Sequence, residues 1–339
     1  MDTQIVITDT PNALILAGQA ANQAAADGVF ADFRARKAAN TIRRIDADLN
    51  LFAYFLRSAG VQVGNLAEDP QAWKGVTWGL VEAWVQWQLT EGFATGSINV
   101  RLSSIKSYTG LAFKAGALSQ EAYALIRLVS GYSHKEAVHL DEKRQNTGIP
   151  TRKGAKKATA VPVTLEQAQS LKRQPNTPQG RRDALLMRLL LDHGLRVGEV
   201  AGLQVTDFDL QAGELRFYRP KVNLTQTHKL SADTLRAAKS YFKRDALASG
   251  PLLRASRKDG SLGHAGMSER ALTGRVRLLG AAVGIKGLSA HDCRHYWATR
   301  AARNGTPIDR LQDAGGWSSP SMPLRYVEAA VIANTGVLL

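Results

Sequence analysis

From Thr41 to Val129 apolar side chains return every three or four residues, a period that only helices can bury on one side. Ile45, Leu49, Phe52 and Leu56 stand at spacings of four, three and four before Gly60. Thr77 is placed to cap a second helix carrying Leu80, Val81, Trp84, Trp87 and Gln88 up to Gly92. A third runs from about Ser97 through Ile98, Leu102, Ile105 and Ala112, with Arg101 and Lys106 off its apolar face. A fourth follows Ser119 with Ala122, Leu125, Ile126 and Val129. The pattern predicts a four-helix bundle in which Trp73, Trp78, Trp84 and Trp87 are packing residues.

Residues 1–30 lack this period and are expected to form a flexible, at most partly helical, arm ahead of a helical domain at 31–142. Lys143 to Lys157 contains six basic residues, no acid, one proline and two glycines, so 143–158 reads as an exposed basic linker. Beyond it, Thr164 opens a helix and Asp183–Asp192 is strongly apolar. Gly194 stands as a left-handed stop before the turn that carries Arg196. Glu214–Tyr218 alternates as a strand, Asn223–Gln226 offers a turn, and Thr227–Leu230 returns. Helical patterns then cover Asp233–Leu247, Ser268–Val283, Ala290–Asn304 and Pro307–Ala314, the last with Thr306 as N-cap. The fold class is mainly α, with a small antiparallel β-sheet in a C-terminal domain at 159–330 and a tail at 331–339.

Charge separates the halves. Residues 1–150 hold 14 Lys+Arg against 14 Asp+Glu, whereas residues 151–339 hold 30 against 15, so the whole excess of +15 lies on the second half. Such a surplus suits a polyanion. Lys143, Arg144, Arg152, Lys153, Lys156 and Lys157 of the linker, with Arg101 and Lys106 of the third helix, are the candidate residues for binding such a polyanion, which charge alone does not identify as DNA, RNA or an acidic protein. Cys293 is the only cysteine, which excludes an intramolecular disulfide. With no apolar run of transmembrane length and no signal-peptide pattern at Met1, the expectation is a cytoplasmic protein that does not engage a membrane.

Six side chains carry the chemistry: Arg196, Lys221, His291, Arg294, Trp317 and Tyr326. His291 and Arg294 lie three apart on the opening turn of one helix, where free N–H groups favour an anion. Arg196 sits at a turn and needs an anionic neighbour, for which Glu199 is the nearest choice. His291, Cys293 and His295 do not share a helix face, so no metal site is expected.

Gly194-Leu195-Arg196-Val197-Gly198-Glu199, His291-Asp292-Cys293-Arg294-His295, Gly316-Trp317-Ser318-Ser319 and Arg325-Tyr326 occur in that order. Arg294 and Trp317 are 23 residues apart, and Trp317 and Tyr326 are 9 apart. Together they resemble the tyrosine recombinase (phage integrase) family, with Cre-like and Xer-like site-specific recombinases as its nearest types. The resemblance implies a helical (SAM-like) core-binding bundle that clamps duplex DNA, followed by the catalytic domain. Arg196 and Arg294 would hold the scissile phosphate, Tyr326 would attack it to give a 3′-phosphotyrosine link, and His291 would assist proton transfer. Lys221 would protonate the leaving 5′-oxygen, with Lys229 as its rival, and Glu199 would support Arg196. Trp317 stands where the family often has histidine; its indole N–H can donate but cannot shuttle a proton. The resemblance further implies DNA recombination and integration without metal, ATP or other cofactor, by a monomer in solution that assembles as a homotetramer on specific sites. The apolar tail would dock on a neighbouring protomer or fold back on its own domain. A type IB topoisomerase-like activity and a non-catalytic DNA-binding relative are the alternatives.

Overall fold

The computed structural model describes residues 12–154, 157, 159–245 and 247–328. The chain divides into two compact units, Met1–Ala158 and Thr159–Leu339, each with its own hydrophobic core.

The first unit contains α1 (Ala13–Ala35), α2 (Ala39–Ser58), α3 (Trp78–Thr90), α4 (Thr95–Lys114), α5 (Gln120–Leu128) and α6 (His134–Asn146). Hydroxyl side chains start several of them: Thr77 caps α3, Ser119 caps α5, and Ser133 forms a reciprocal capping box with Glu136 on α6. The core is aromatic at its centre. Phe52 packs between Trp73 and Trp84, with ring centroids 6.1 and 5.2 Å away, and Trp73 stacks on Tyr108 at 6.0 Å.

Several expectations for this unit need correction. Instead of a loose arm there is one continuous helix, α1, which crosses the expected boundary at residue 30; its alanine content favours helix without any apolar period. Residues 1–11 lie outside the described residues. The four expected helices are all present, but α1 and the largely polar α6 bring the described number to six. Trp78 is not a core residue: it is 51% exposed, whereas Trp73 and Trp84 are fully buried. Lys143 and Arg144 belong to the last turn of α6 and not to a linker.

The second unit begins with α7 (Leu165–Lys172), α8 (Pro178–Leu191) and α9 (Val197–Gly202). A three-stranded antiparallel sheet follows, β1 (Phe208–Asp209), β2 (Glu214–Arg219) and β3 (Leu224–Lys229), in the order β1-β2-β3. Next come α10 (Ala232–Arg244), the hairpin β4 (Arg254–Ser256) and β5 (Leu262–Gly266), α11 (Glu269–Ala282), α12 (Ala290–Arg303), α13 (Ile308–Gly315) and α14 (Ser321–Glu328). Helix α8 is buried nearly all round, Arg182 and Asp183 included, because it runs through the core against α7, α10 and α12. Arg219 pairs with Leu224, so the β2–β3 turn is the four residues 220–223, three positions earlier than the expected turn at Asn223–Gln226. Asn223 takes a positive φ of 49°, which asparagine tolerates. Pro307, not Thr306, is the N-cap of α13. The β4–β5 hairpin and α14 have no counterpart in the apolar periodicity.

One tight approach shapes the catalytic half. Gly194 has φ +60°, and a Cβ there would lie 2.2 Å from the Trp297 ring on α12. Its carbonyl accepts a hydrogen bond from Arg294 Nη1 at 2.5 Å. An added methyl would meet both left-handed strain and a ring that cannot move without displacing α12. Gly194→Ala is therefore expected to lower the stability of this unit by about 3 kcal/mol, read from urea denaturation.

Candidate active site

The site forms where α9, β2, α12, α13 and α14 come together, and its centre is a cluster of three guanidiniums. Arg196, at the start of α9, gives Nη1 to Glu199 Oε1 at 2.7 Å, while its backbone N–H donates to Glu199 Oε2 at 2.8 Å. Glu199 is buried, so the capping contact also fixes the carboxylate. Arg219, at the end of β2, reaches the same carboxylate through Nη1 at 3.3 and 3.4 Å. Arg294, on the first turn of α12, is 3% exposed and has no carboxylate of its own; Nη1 and Nη2 donate to the carbonyls of Gly194 and Gly315, each at 2.5 Å.

The C-terminus of α13 organises the cluster. Gly316 is left-handed at φ +57°, the Trp317 N–H donates to Gln312 O at 3.1 Å, and the Gly316 N–H donates to Asp313 O at 2.8 Å. This ending leaves three carbonyls free to face the arginines. Ala314 O accepts from Arg219 at 2.8 Å, Gly315 O accepts from Arg219 at 3.0 Å as well as from Arg294, and Gly316 O accepts from Arg196 at 3.2 Å. The negative end of the helix dipole thus meets the cations. Burial, followed by repulsion from Arg196, pulls the Arg294 pKa down to about 10, with Glu199 opposing the shift. Three cations against one carboxylate leave a surplus that an anion would relieve.

The aromatic groups adjoin this surplus. Trp317 lies under Arg294, whose Cζ is 4.5 Å from the ring centroid, and the Tyr326 ring is 5.6 Å from Trp317. Tyr326 sits on α14, is buried, and has its phenol pKa raised by that burial, although Arg294, Arg325 and Arg196 pull the other way. His291 and His295 share a hydrogen bond between their Nε2 atoms at 3.0 Å, and His295 lies 5.1 Å from Tyr326, ring to ring. His295 therefore adjoins both His291 and the ring of Tyr326. Burial, then the neighbouring His291, lowers its pKa.

The structure thus brings Arg196, Glu199, Arg294, Trp317 and Tyr326 together, with His291 beside His295 at the edge of the group. Lys221 lies on the β2–β3 turn just past the strand end, exposed, and Lys229 is exposed on β3 opposite Glu214. Sequence reasoning missed Arg219, although strand alternation puts it in phase with the inward-facing Leu215 and Phe217. His295 was visible beside Arg294 but had no assigned role. Among the described residues, no group of three or more His, Cys, Asp and Glu side chains is placed to hold a metal ion.

Comparison with known proteins agrees with this arrangement. The model of the phage integrase family matches residues 161–331, half of the chain, and spans all six side chains. The chain belongs to the phage integrase family. The chain is 24% identical over 288 residues to tyrosine recombinase XerC of Mycobacterium sp. (strain JLS), covering 83% of this chain and 85% of the relative. It is 25% identical over 237 residues to tyrosine recombinase XerA of Pyrococcus furiosus, covering 70% and 71%. Among solved structures, a lambda integrase dimer bound to a COC′ core site shares its fold, with TM-score 0.59, 13% identity and coverage of 95% and 83%. So does the Tn1549 transposon integrase in complex with transposon right end DNA, with TM-score 0.58, 15% identity and coverage of 89% and 94%.

The candidate DNA-binding residues of the chain divide. Arg144 is a correction: it is buried, donates to the carbonyls of Leu89 and Phe93, and pairs with Asp141, so it holds α6 onto the bundle. Arg101 is largely engaged, stacking on Phe93 at 4.1 Å and donating to Gln88 Oε1 at 3.1 Å. Lys106 donates to Arg127 O at 2.8 Å, and Lys153 pairs with Glu91 at 2.7 Å. Lys143, Arg152 and Lys157 are exposed, and Lys156 lies outside the described residues. No helix among the described residues is long and apolar enough to cross a membrane.

Two further imidazoles lie behind the guanidiniums. Burial lowers the His193 pKa to about 4 against a weak pull from Asp192, and burial with Arg219 and His193 lowers that of His228 to about 3. Both are neutral in the fold at pH 7. Below the ordinary value of 6.5 the unfolded chain takes up protons that the fold excludes, so their contribution is intact above 6.5 and lost as pH falls towards 4. The melting temperature of this unit is expected to fall across that window. The fall should be shallower in His193→Gln, as measured by circular dichroism.

Proposed function

We propose that the chain breaks and rejoins duplex DNA at specific sites through a transient phosphotyrosine bond on Tyr326. It is a tyrosine-type site-specific recombinase. The observation that carries this reading is the surplus of guanidinium charge beside a buried phenol: Arg196 and Arg219 share the Glu199 carboxylate, Arg294 is held by backbone carbonyls, and Tyr326 adjoins them. A phosphodiester is the anion that such a site suits, because planar guanidiniums match non-bridging phosphate oxygens.

In the proposed reaction Arg196 and Arg294 hold those oxygens and stabilise the charge that grows on them in the five-coordinate transition state. Tyr326 Oη forms a bond to phosphorus while the bond from phosphorus to the 5′-oxygen breaks. The phenol proton leaves towards the His295–His291 pair, and Lys221 gives a proton to the departing oxygen. Trp317 closes one side of the phosphate site and donates through its indole. Reversal by a 5′-hydroxyl from another strand rejoins the DNA, since the phosphoester is conserved in the covalent link. Family membership favours this exchange over supercoil relaxation alone.

The first unit would clamp the duplex, with Lys106, Lys143, Arg152, Lys153 and Lys157 lying along phosphates. A homotetramer on DNA, formed from monomers, completes the proposal; the lambda integrase dimer on its core site supports assembly of more than one copy.

Two experiments bear on these roles. On a nicked suicide duplex carrying the target site, the wild-type chain is expected to form a denaturant-stable protein–DNA adduct that Tyr326→Phe does not form. An adduct in that variant would remove the phenol from its role. Lys221→Ala is expected to cleave about a hundredfold to ten-thousandfold more slowly. A 5′-phosphorothiolate leaving group, which needs little protonation, should restore its rate. Failure of that rescue would transfer the role to Lys229.

A further inference from the structure

We infer that Arg219 is a positioning residue for strand cleavage: it supports the backbone that aims Arg196 and Arg294 at the scissile phosphate. The inference rests on the recombinase reading above and extends it to a residue that does not touch the substrate.

Arg219 is completely buried, an unusual place for an arginine, since desolvating a guanidinium is costly unless its donors are matched. Both Nη groups are matched, mostly by groups of the phosphate site, while Nε has no partner among the described residues. Nη1 reaches both oxygens of Glu199, the partner of Arg196, and donates to Gly315 O at 3.0 Å, the same carbonyl that accepts from Arg294. Nη2 donates to Ala314 O at 2.8 Å and to His228 Nε2 at 3.3 Å. Because a guanidinium has no acceptor, this contact assigns His228 Nε2 as the acceptor and fits a neutral ring.

Shape adds a second constraint. A Cβ on Gly316 would lie 2.7 Å from Arg219 Cδ, so the left-handed turn that delivers Trp317 rests directly on this side chain. Arg219 also ends β2, two residues before Lys221. One buried side chain thus meets the carboxylate behind Arg196, the carbonyl behind Arg294, the turn before Trp317 and the strand that presents the general acid. Its bonds to Glu199 are longer than the 2.7 Å bond from Arg196, so its firmest contacts are with the α13 carbonyls. Lysine cannot reproduce them, because a single ammonium cannot span Ala314 O, Gly315 O and Glu199 in one plane.

The test compares two scissile groups on the suicide duplex, the ordinary phosphate and a methylphosphonate in which one charged oxygen is replaced by methyl. Arg219→Met and Arg219→Lys are expected to cleave the phosphate about a hundredfold more slowly at saturating DNA, with duplex affinity unchanged at fixed salt. On the methylphosphonate, which asks less of the guanidiniums, the deficit should shrink to less than about tenfold. Arg219→Lys keeps the charge and serves if the methionine variant fails to fold. Equal deficits on both substrates would reduce Arg219 to a folding role and overturn the inference, as would full activity in Arg219→Lys. If wild type forms no adduct with either substrate, the recombinase reading itself fails, a result separable from the others because it does not involve the variants.

Discussion

The catalytic half depends on an electrostatic arrangement that is unfavourable until its partners are in place. Three guanidiniums repel one another in a region where Arg294 and Arg219 are almost shielded from water. Glu199 offsets part of that repulsion, and the exposed carbonyls at the end of α13 offset more. Those carbonyls face the arginines only because Gly316 turns the chain left-handed and stops the helix there. Likewise, the Gly194 carbonyl reaches Arg294 only because the chain can pass close against Trp297. The two glycines are thus part of the charge arrangement as much as of the fold. Donors held in this way need little reorganisation when a phosphate arrives, which is where electrostatic catalysis has its advantage.

Much of this site was legible in the sequence because its residues come in dense motifs with fixed separations. Arg196 with Glu199, His291 with Arg294, and Gly316 with Trp317 each sit at a helix end, where local rules of capping and spacing apply. Arg219 was not legible. Strand alternation hints at an inward side chain, in phase with Leu215 and Phe217, but its partners are 20, 95 and 96 residues away along the chain. His295 was legible as a neighbour of Arg294 but not as a link, because its contact with Tyr326 depends on how α14 packs against α12.

The helical half shows the same division. Apolar period located α2 to α5, and hydroxyl caps located several of their starts. It failed for α1, where alanine favours helix while leaving no stripe to detect, and for α6, whose faces are mostly polar. Arg144 was misplaced for a related reason: a basic run looks solvated in one dimension, yet one of its members closes the carbonyls of Leu89 and Phe93. Helix termini recruit cations in both units, in one case for stability and in the other for chemistry.

The protonated state of Tyr326 has a consequence for safety. A chain that carried a ready phenolate in a cationic site would be a latent nuclease towards any diester that drifted past. An ordinary phenol is already protonated at neutral pH, and burial pushes the Tyr326 pKa further up while the surrounding cations pull only part of the way back. On the proposed reading, reactivity is thereby conditional on an occupant that completes the proton path, so the hazard of a strand-cutting group is confined to the moment when the DNA is also held.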